Sequence, residues 1–201
     1  MSRYVFLFGM DSIIVQDEIL PVIAKRAGLY EKMEILEEST KHVNMPFKQS
    51  FLTKAHLLNG IPVSDVWESV SDISLNLKVV DFIRQNRDRC YIVTGNIDVW
   101  IEQLINRIGM ERNTYCSKAL TDNKGYVQDI VSIVDKDTVV RQMIMPYVAV
   151  GNGNNDAEMI EKAEIGIGYG GSHEIASSVL ECASHAVYDE ERLVGFLNKL
   201  L

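Results

Sequence analysis

The chain has 201 residues, 47% of them apolar and 24% charged, a mix that excludes intrinsic disorder. A chain of that length buries roughly 70% of the surface its unfolded form exposes, so it folds without disulfides or a structural metal. Lys and Arg number 20 against 28 Asp and Glu, and the formal charge of −8 argues against nucleic acid or an anionic membrane as partner, since both ask for a basic face. A small anionic ligand needs only a local basic pocket.

After Met1-Ser2-Arg3, the run Val5-Phe6-Leu7-Phe8 followed by Gly9 reads as a strand buried on both faces. It is too short for a signal peptide, and no stretch reaches the length of a membrane span. From Gln16 the period turns helical. Ile19, Leu20, Ile23, Ala24 and Ala27 recur at three- and four-residue spacing, with Gly28 as the C-cap glycine. Met33, Leu36, Phe47, Phe51 and Leu58 continue the pattern. Asn59-Gly60-Ile61-Pro62 punctuates it, and Ser64 or Asp65 is placed to cap a further helix. No strand signal interrupts this stretch, so 16–76 is expected to form a small helical domain.

From residue 77 onward strands and helices alternate. Helices are predicted at 77–83, 97–108 (closed by Gly109), 137–145, 156–163, 173–180 and 190–200. Strands are predicted at 90–93, weakly at 113–116, and at 147–150 and 165–167. Asn123-Lys124-Gly125 reads as a hairpin turn, and Gly168-Tyr169-Gly170-Gly171 as a plain turn. The alternation predicts a parallel sheet covered on both faces, an α/β core built from 1–15 and 77–201. Trp67 and Trp100 are expected to pack. His42, His56, His173 and His185 are scattered and suggest no metal. Cys90, Cys116 and Cys182 form no zinc or CxxC spacing, which predicts buried reduced thiols and a cytoplasmic location.

Three apolar strands end in small, polar or acidic residues: Gly9-Met10-Asp11-Ser12-Ile13, Thr94-Gly95-Asn96, and Gly151-Asn152-Gly153-Asn154-Asn155-Asp156. Open α/β sheets bind ligands at this edge, and such turns offer backbone N–H groups to anions. Thr94 adds a hydroxyl and Lys136 a counter-charge.

In this ordered set the chain resembles the phosphoserine phosphatase-like branch of the haloacid dehalogenase superfamily. That family opens with Asp-x-Asp-x-Thr, follows with Ser or Thr and Gly, then a Lys, then Gly-Asp-Gly-x-Asn-Asp. The resemblance implies a Rossmann-like parallel-sheet core with an all-helical cap, phosphatase chemistry through a phosphoaspartate, and Mg²⁺. It implies Asp11 as acid/base and Lys136 as its catalytic partner. Thr94 and Gly95 fall at phosphate-binding positions. Glu18 matches a cap-edge carboxylate, and Lys54 an Arg that reads the charged end of an amino acid substrate. Asn155 and Asp156 match residues that support substrate and metal.

The chain departs from the pattern where chemistry is densest. Gly9 stands at the nucleophile position, Asn152 at a Mg²⁺ ligand, Ile13 at the motif Thr and Lys54 at the Arg. With two carboxylates missing, Mg²⁺ at Asp156 and Asn152 is expected to bind weakly or not at all, while Lys136 and the turns could hold phosphate without it. Two readings stay open. One is a degenerate member that binds a small anionic metabolite, such as phosphate or a phosphorylated amino acid, or acts through a protein partner. The other is a working enzyme, either a phosphomonoester hydrolase or one that uses Asp11 without a phosphoaspartate.

Overall fold

The computed structural model describes residues 4–42 and 45–201, with side chains of the first stretch to residue 39. Met1, Ser2, Arg3 and the side chain of His42 lie outside the described residues. The strands are β1 (Val5–Phe8), β2 (Cys90–Ile97), β3 (Thr114–Thr121), β4 (Val127–Ser132), β5 (Tyr147–Gly151), β6 (Ile165–Tyr169) and β7 (His185–Val187). They form one seven-stranded sheet in the order β4-β3-β2-β1-β5-β6-β7. All neighbours are parallel except the β3–β4 hairpin, whose turn carries Gly125 at φ +80.

Strand β1 lies at the centre, between β2 and β5, and every residue of it is buried. Its alternation feeds two apolar clusters. Phe6 and Phe8 join one, with Phe82, Ile83, Leu193 and Leu197 from α5 (Leu77–Gln85) and α10 (Glu190–Asn198). Val5 and Leu7 join the other, with Val139, Val140, Met159, Ile160 and Val179 from α7 (Lys136–Arg141), α8 (Ala157–Glu161) and α9 (Ser177–Cys182). A strand that serves two cores has to read as an unbroken apolar run, as this one does.

Between β1 and α5 the chain forms α1 (Ile19–Arg26), α2 (Tyr30–His42), α3 (Phe47–Leu58) and α4 (Val63–Ser71). Their buried faces, including Ile23, Met33, Phe51, Ala55 and Val66, continue the first cluster. Gly28 at φ +70 ends α1, and Gly109 at φ +75 ends α6 (Asp98–Ile108), as a left-handed closing residue requires. The helical stretch enters and leaves through one clasp. Val15 bridges Leu75, the Asn76 N–H donates to the Ile14 carbonyl at 2.9 Å, and the buried Asn76 Nδ2 donates to the carbonyls of Ile13 (2.9 Å) and Ser12 (3.3 Å).

Several elements differ from expectation. Strand β2 runs on through Thr94-Gly95-Asn96 to Ile97, because Ile97 pairs with Ser117 beyond an irregularity after Val93. Strand β3 extends to Thr121 for the same cross-strand reason. The predicted 137–145 helix is α7, which starts at Lys136 under an Asp135 cap and stops at Arg141. The 156–163 helix divides into a 3₁₀ turn, Asn154–Asp156, and α8, while α9 begins only at Ser177. Pro62, not Ser64 or Asp65, is the N-cap residue of α4. Gly168 and Tyr169 belong to β6 rather than to a turn. Strand β7 had no sequence signal. Cys90 is buried, but Cys116 and Cys182 are only half-buried; all three are free. Trp100 is fully buried, and the Trp67 indole N–H donates to the Val99 carbonyl at 2.8 Å. Among the described residues no helix is long and apolar enough to cross a membrane.

The clasp generates a stability prediction. Asn76→Ala leaves the buried carbonyls of Ser12 and Ile13 without their donor, and should cost about 1–3 kcal/mol. Urea denaturation of parent and variant measures it, with the midpoint moving down and the slope unchanged.

Candidate active site

The C-terminal ends of β2, β1 and β5 lie side by side, and a cavity of about 1090 Å³ opens between them and α1–α3. Asp11, Glu18, Lys54, Gly95, Lys136, Asn152, Asn155 and Asp156 all line it. Gly9 and Thr94 do not. The topology therefore brings together nearly every residue singled out from the sequence, across more than 140 positions of chain.

The floor is organised by Asp156, which is 3% exposed. Its Oδ1 pairs with Lys136 Nζ at 2.5 Å, and its Oδ2 accepts the backbone N–H groups of Asn152 and Gly153, both at 3.0 Å. Lys136 is itself buried, so this is a desolvated pair whose neutrality is supplied internally. Gly151 makes the arrangement sterically feasible: a Cβ there would lie 2.4 Å from Asp156 Cγ. Gly9 faces the same carboxylate. A Cβ at Gly9 would meet Asp156 Oδ1 at 3.1 Å and Ile13 Cγ1 at 3.4 Å. Of the three N–H donors of Lys136, one is committed to Asp156.

Asp11 sits in the turn after β1. Its Oδ1 accepts the Ile19 N–H at 2.8 Å, and its Oδ2 accepts Asn96 Nδ2 at 2.8 Å. Burial pushes the Asp11 carboxyl above its ordinary value; the hydrogen bonds from Ile19 and Asn96 and the charge of Lys136 oppose that shift without cancelling it. Ser12, next in the turn, is buried at φ +63 with a hydroxyl that has no partner, a strained backbone at the edge of the site.

Thr94 lies two residues before Asn96 in β2. Its hydroxyl oxygen accepts both the backbone N–H and the Nδ2 of Asn96, at 3.1 and 3.0 Å, and it sits behind Asn96 rather than on the cavity wall. Asn96 links Thr94 to Asp11 and is the floor residue that sequence reasoning missed, although it lay within a flagged strand end. On the helical wall Lys54 Nζ pairs with Glu37 Oε1 at 2.8 Å. Glu37 also lines the cavity; on α2 it reads as an ordinary surface charge and gave no signal. Phe47 closes over the end of β2, where a Cβ at Gly95 would strike its Cζ at 2.3 Å.

The donor set does not fit Mg²⁺. Among the described residues no group of three or more His, Cys, Asp or Glu converges on a metal. The floor carboxylates are Asp11 and Asp156; Asp156 spends both oxygens on Lys136 and two backbone donors, and Asn152 contributes no charge.

No family model matches the chain. It is 27% identical over 212 residues to a phosphoserine phosphatase of Archaeoglobus fulgidus, covering 99% of this chain and 60% of that protein. It is 22% identical over 182 residues to a phosphoserine phosphatase of Methanocaldococcus jannaschii, covering 84% of this chain and 86% of that one. The chain thus spans only three-fifths of the length of the first of these relatives. Among solved structures it superimposes on a substrate-bound phosphoserine phosphatase complex with a TM-score of 0.82 at 19% identity, over 98% of this chain and 99% of that one. The fold is the α/β fold of the solved phosphoserine phosphatase structures.

Asp11 generates a pH prediction. Because its folded carboxyl binds a proton more readily than the unfolded one, the parent should lose stability as pH rises from 3.8 toward the raised value, and level off above it. Asp11→Asn removes that penalty. Its amide offers one acceptor where the carboxylate offers two, so a hydrogen bond is lost as well; thermal denaturation between pH 4 and 8 should show the variant's melting temperature gaining on the parent's as the pH rises.

Proposed function

We propose that this chain is a phosphoserine phosphatase-like protein that keeps a pocket for a small phosphorylated metabolite and has lost phosphoaspartate turnover. The observation that carries the reading is Gly9. At the end of β1, facing Asp156, the chain offers no carboxylate to attack phosphorus. The remaining N–H donors of Lys136, with Gly95 and Asn155 on the wall, would hold the anion, and Asp11 would face it as the acid. Thr94 would act through Asn96. The helices of 16–76 would form the cap over a core of 1–15 and 77–201. Three free thiols suit a reducing, cytoplasmic setting.

The names of the relatives favour a second reading, hydrolysis of phosphomonoesters by the unaltered chain. Phosphate release from a panel of phosphomonoesters, with and without Mg²⁺, separates the two. The parent should stay at background. Gly9→Asp alone should stay there too: its side chain must displace Asp156 Oδ1 by a few tenths of an ångström and set two carboxylates together. Gly9→Asp with Asn152→Asp should show release well beyond the sum of the single variants, as residues acting as a unit do. Mg²⁺ should raise the melting temperature of that double variant and leave the parent's unchanged. Mg²⁺-dependent turnover by the parent would overturn the reading.

A further inference from the structure

We infer that the Asn152 carboxamide is a direct ligand for the phosphate group of the bound metabolite, donating through Nδ2 in a corner of the cavity that works without a metal. The inference rests on the reading of the cavity as a phosphate pocket.

Asn152 lines the cavity and is 8% exposed. Its backbone is fully used: the N–H donates to Asp156 Oδ2 at 3.0 Å, and the carbonyl accepts the Ala176 N–H at 2.8 Å. Its side chain is not. The carboxamide makes no hydrogen bond among the described residues, yet it is not sealed in the core as the Ser12 hydroxyl is. Buried polar groups are almost always hydrogen-bonded, so a partner for this amide has to come from what fills the cavity. The other buried asparagine on the wall is different, since Asn96 spends its Nδ2 on Asp11 and Thr94. Asn154, on the same loop as Asn152, is engaged by the Ser178 hydroxyl.

The corner suits an anion rather than a cation. A free carboxamide can turn either its oxygen or its N–H donors toward a ligand. The Lys136 ammonium and the Asn152 N–H both donate to the Asp156 carboxylate, which sets the ammonium one carboxylate away from Asn152. A cation at Asn152 Oδ1 would be placed near that ammonium, and Asp156, held on both oxygens, has little left to offset it. An anion there meets an ammonium and amide N–H donors instead. A carboxylate at position 152 would reverse the sign, because it repels phosphate and donates nothing.

Calorimetric titration of the full chain with inorganic phosphate, in EDTA and in Mg²⁺, tests the inference. The parent's affinities in the two conditions should agree within about twofold. Asn152→Ala should weaken binding about tenfold, the loss expected for one hydrogen bond to a charged group. Asn152→Asp in EDTA should weaken it further, since it adds a like charge as well. Both variants keep the backbone N–H that Asp156 accepts, and thermal denaturation identifies which of them are folded. Side-chain amide signals in ¹H–¹⁵N spectra give a direct readout that needs no folded variant at full affinity. The amide pair absent from Asn152→Ala should shift in the parent as phosphate is added. If the parent binds phosphate but Asn152→Ala binds it within twofold of the parent, or that amide pair does not move, the inference fails and the phosphate pocket stands. Phosphate binding that requires Mg²⁺ would overturn the inference too. If phosphate binds in neither condition, the pocket reading fails and the inference falls with it.

Discussion

The carboxylate of Asp156 is the constraint on which the site depends. It is buried, and it is held on both oxygens, by Lys136 on one side and by the N–H groups of Asn152 and Gly153 on the other. An ionised carboxylate without such partners would be too costly to keep inside a protein. The surrounding chain is shaped to supply them. Residue 151 has no side chain, so the carboxylate can fold back over β5. Helix α7 begins at Lys136, which delivers the ammonium to the strand ends. Gly9, just past the end of β1, has no Cβ to crowd the Asp156 oxygen that Lys136 holds.

The parts of the fold that could be read from the sequence are those where one element decides its own pattern. Strands β1 and β5 are unbroken apolar runs because both their faces are covered. The four helices between β1 and α5 show their buried faces at helical spacing, and Gly28 and Gly109 mark ends that demand a left-handed residue. Elements decided by their neighbours could not be read. The polar stretch Thr94-Gly95-Asn96 is strand because β3 lies beside it. Strand β7 has three residues, two of them exposed, and exists through its pairing with β6.

The same division runs through the site. Asp11, Asn152 and Asp156 could be grouped from sequence because each lies just past the end of a core strand, and a parallel sheet gathers such ends; Lys136, at the start of α7, joined them only through the motif order of the family the chain resembles. How they are paired could not be read. Lys136 and Asp156 are 20 residues apart, and nothing local says they touch. Glu37 and Lys54 lie on different helices, and each has the look of a solvated charge. Asn96 carries no charge and so gave no reason to connect Thr94 with Asp11.

Charge counting ties the substitutions at Gly9 and Asn152 to one another. In the family pattern that the chain resembles, both positions are aspartates. Two aspartates there would add two negative charges to a floor that already holds Asp11 and the neutral Lys136–Asp156 pair, and only a divalent cation would offset them. Removing one aspartate would leave a site still too negative to be stable without metal and too poor in ligands to hold it well. A floor with neither aspartate carries two fewer negative charges, and its Asp11 carboxyl is one that burial already pushes toward its neutral form. The two changes are thus electrostatically complementary. On the proposed reading, a floor that lacks both aspartates would be balanced without a metal, while the ammonium of Lys136 stays in place beside the cavity.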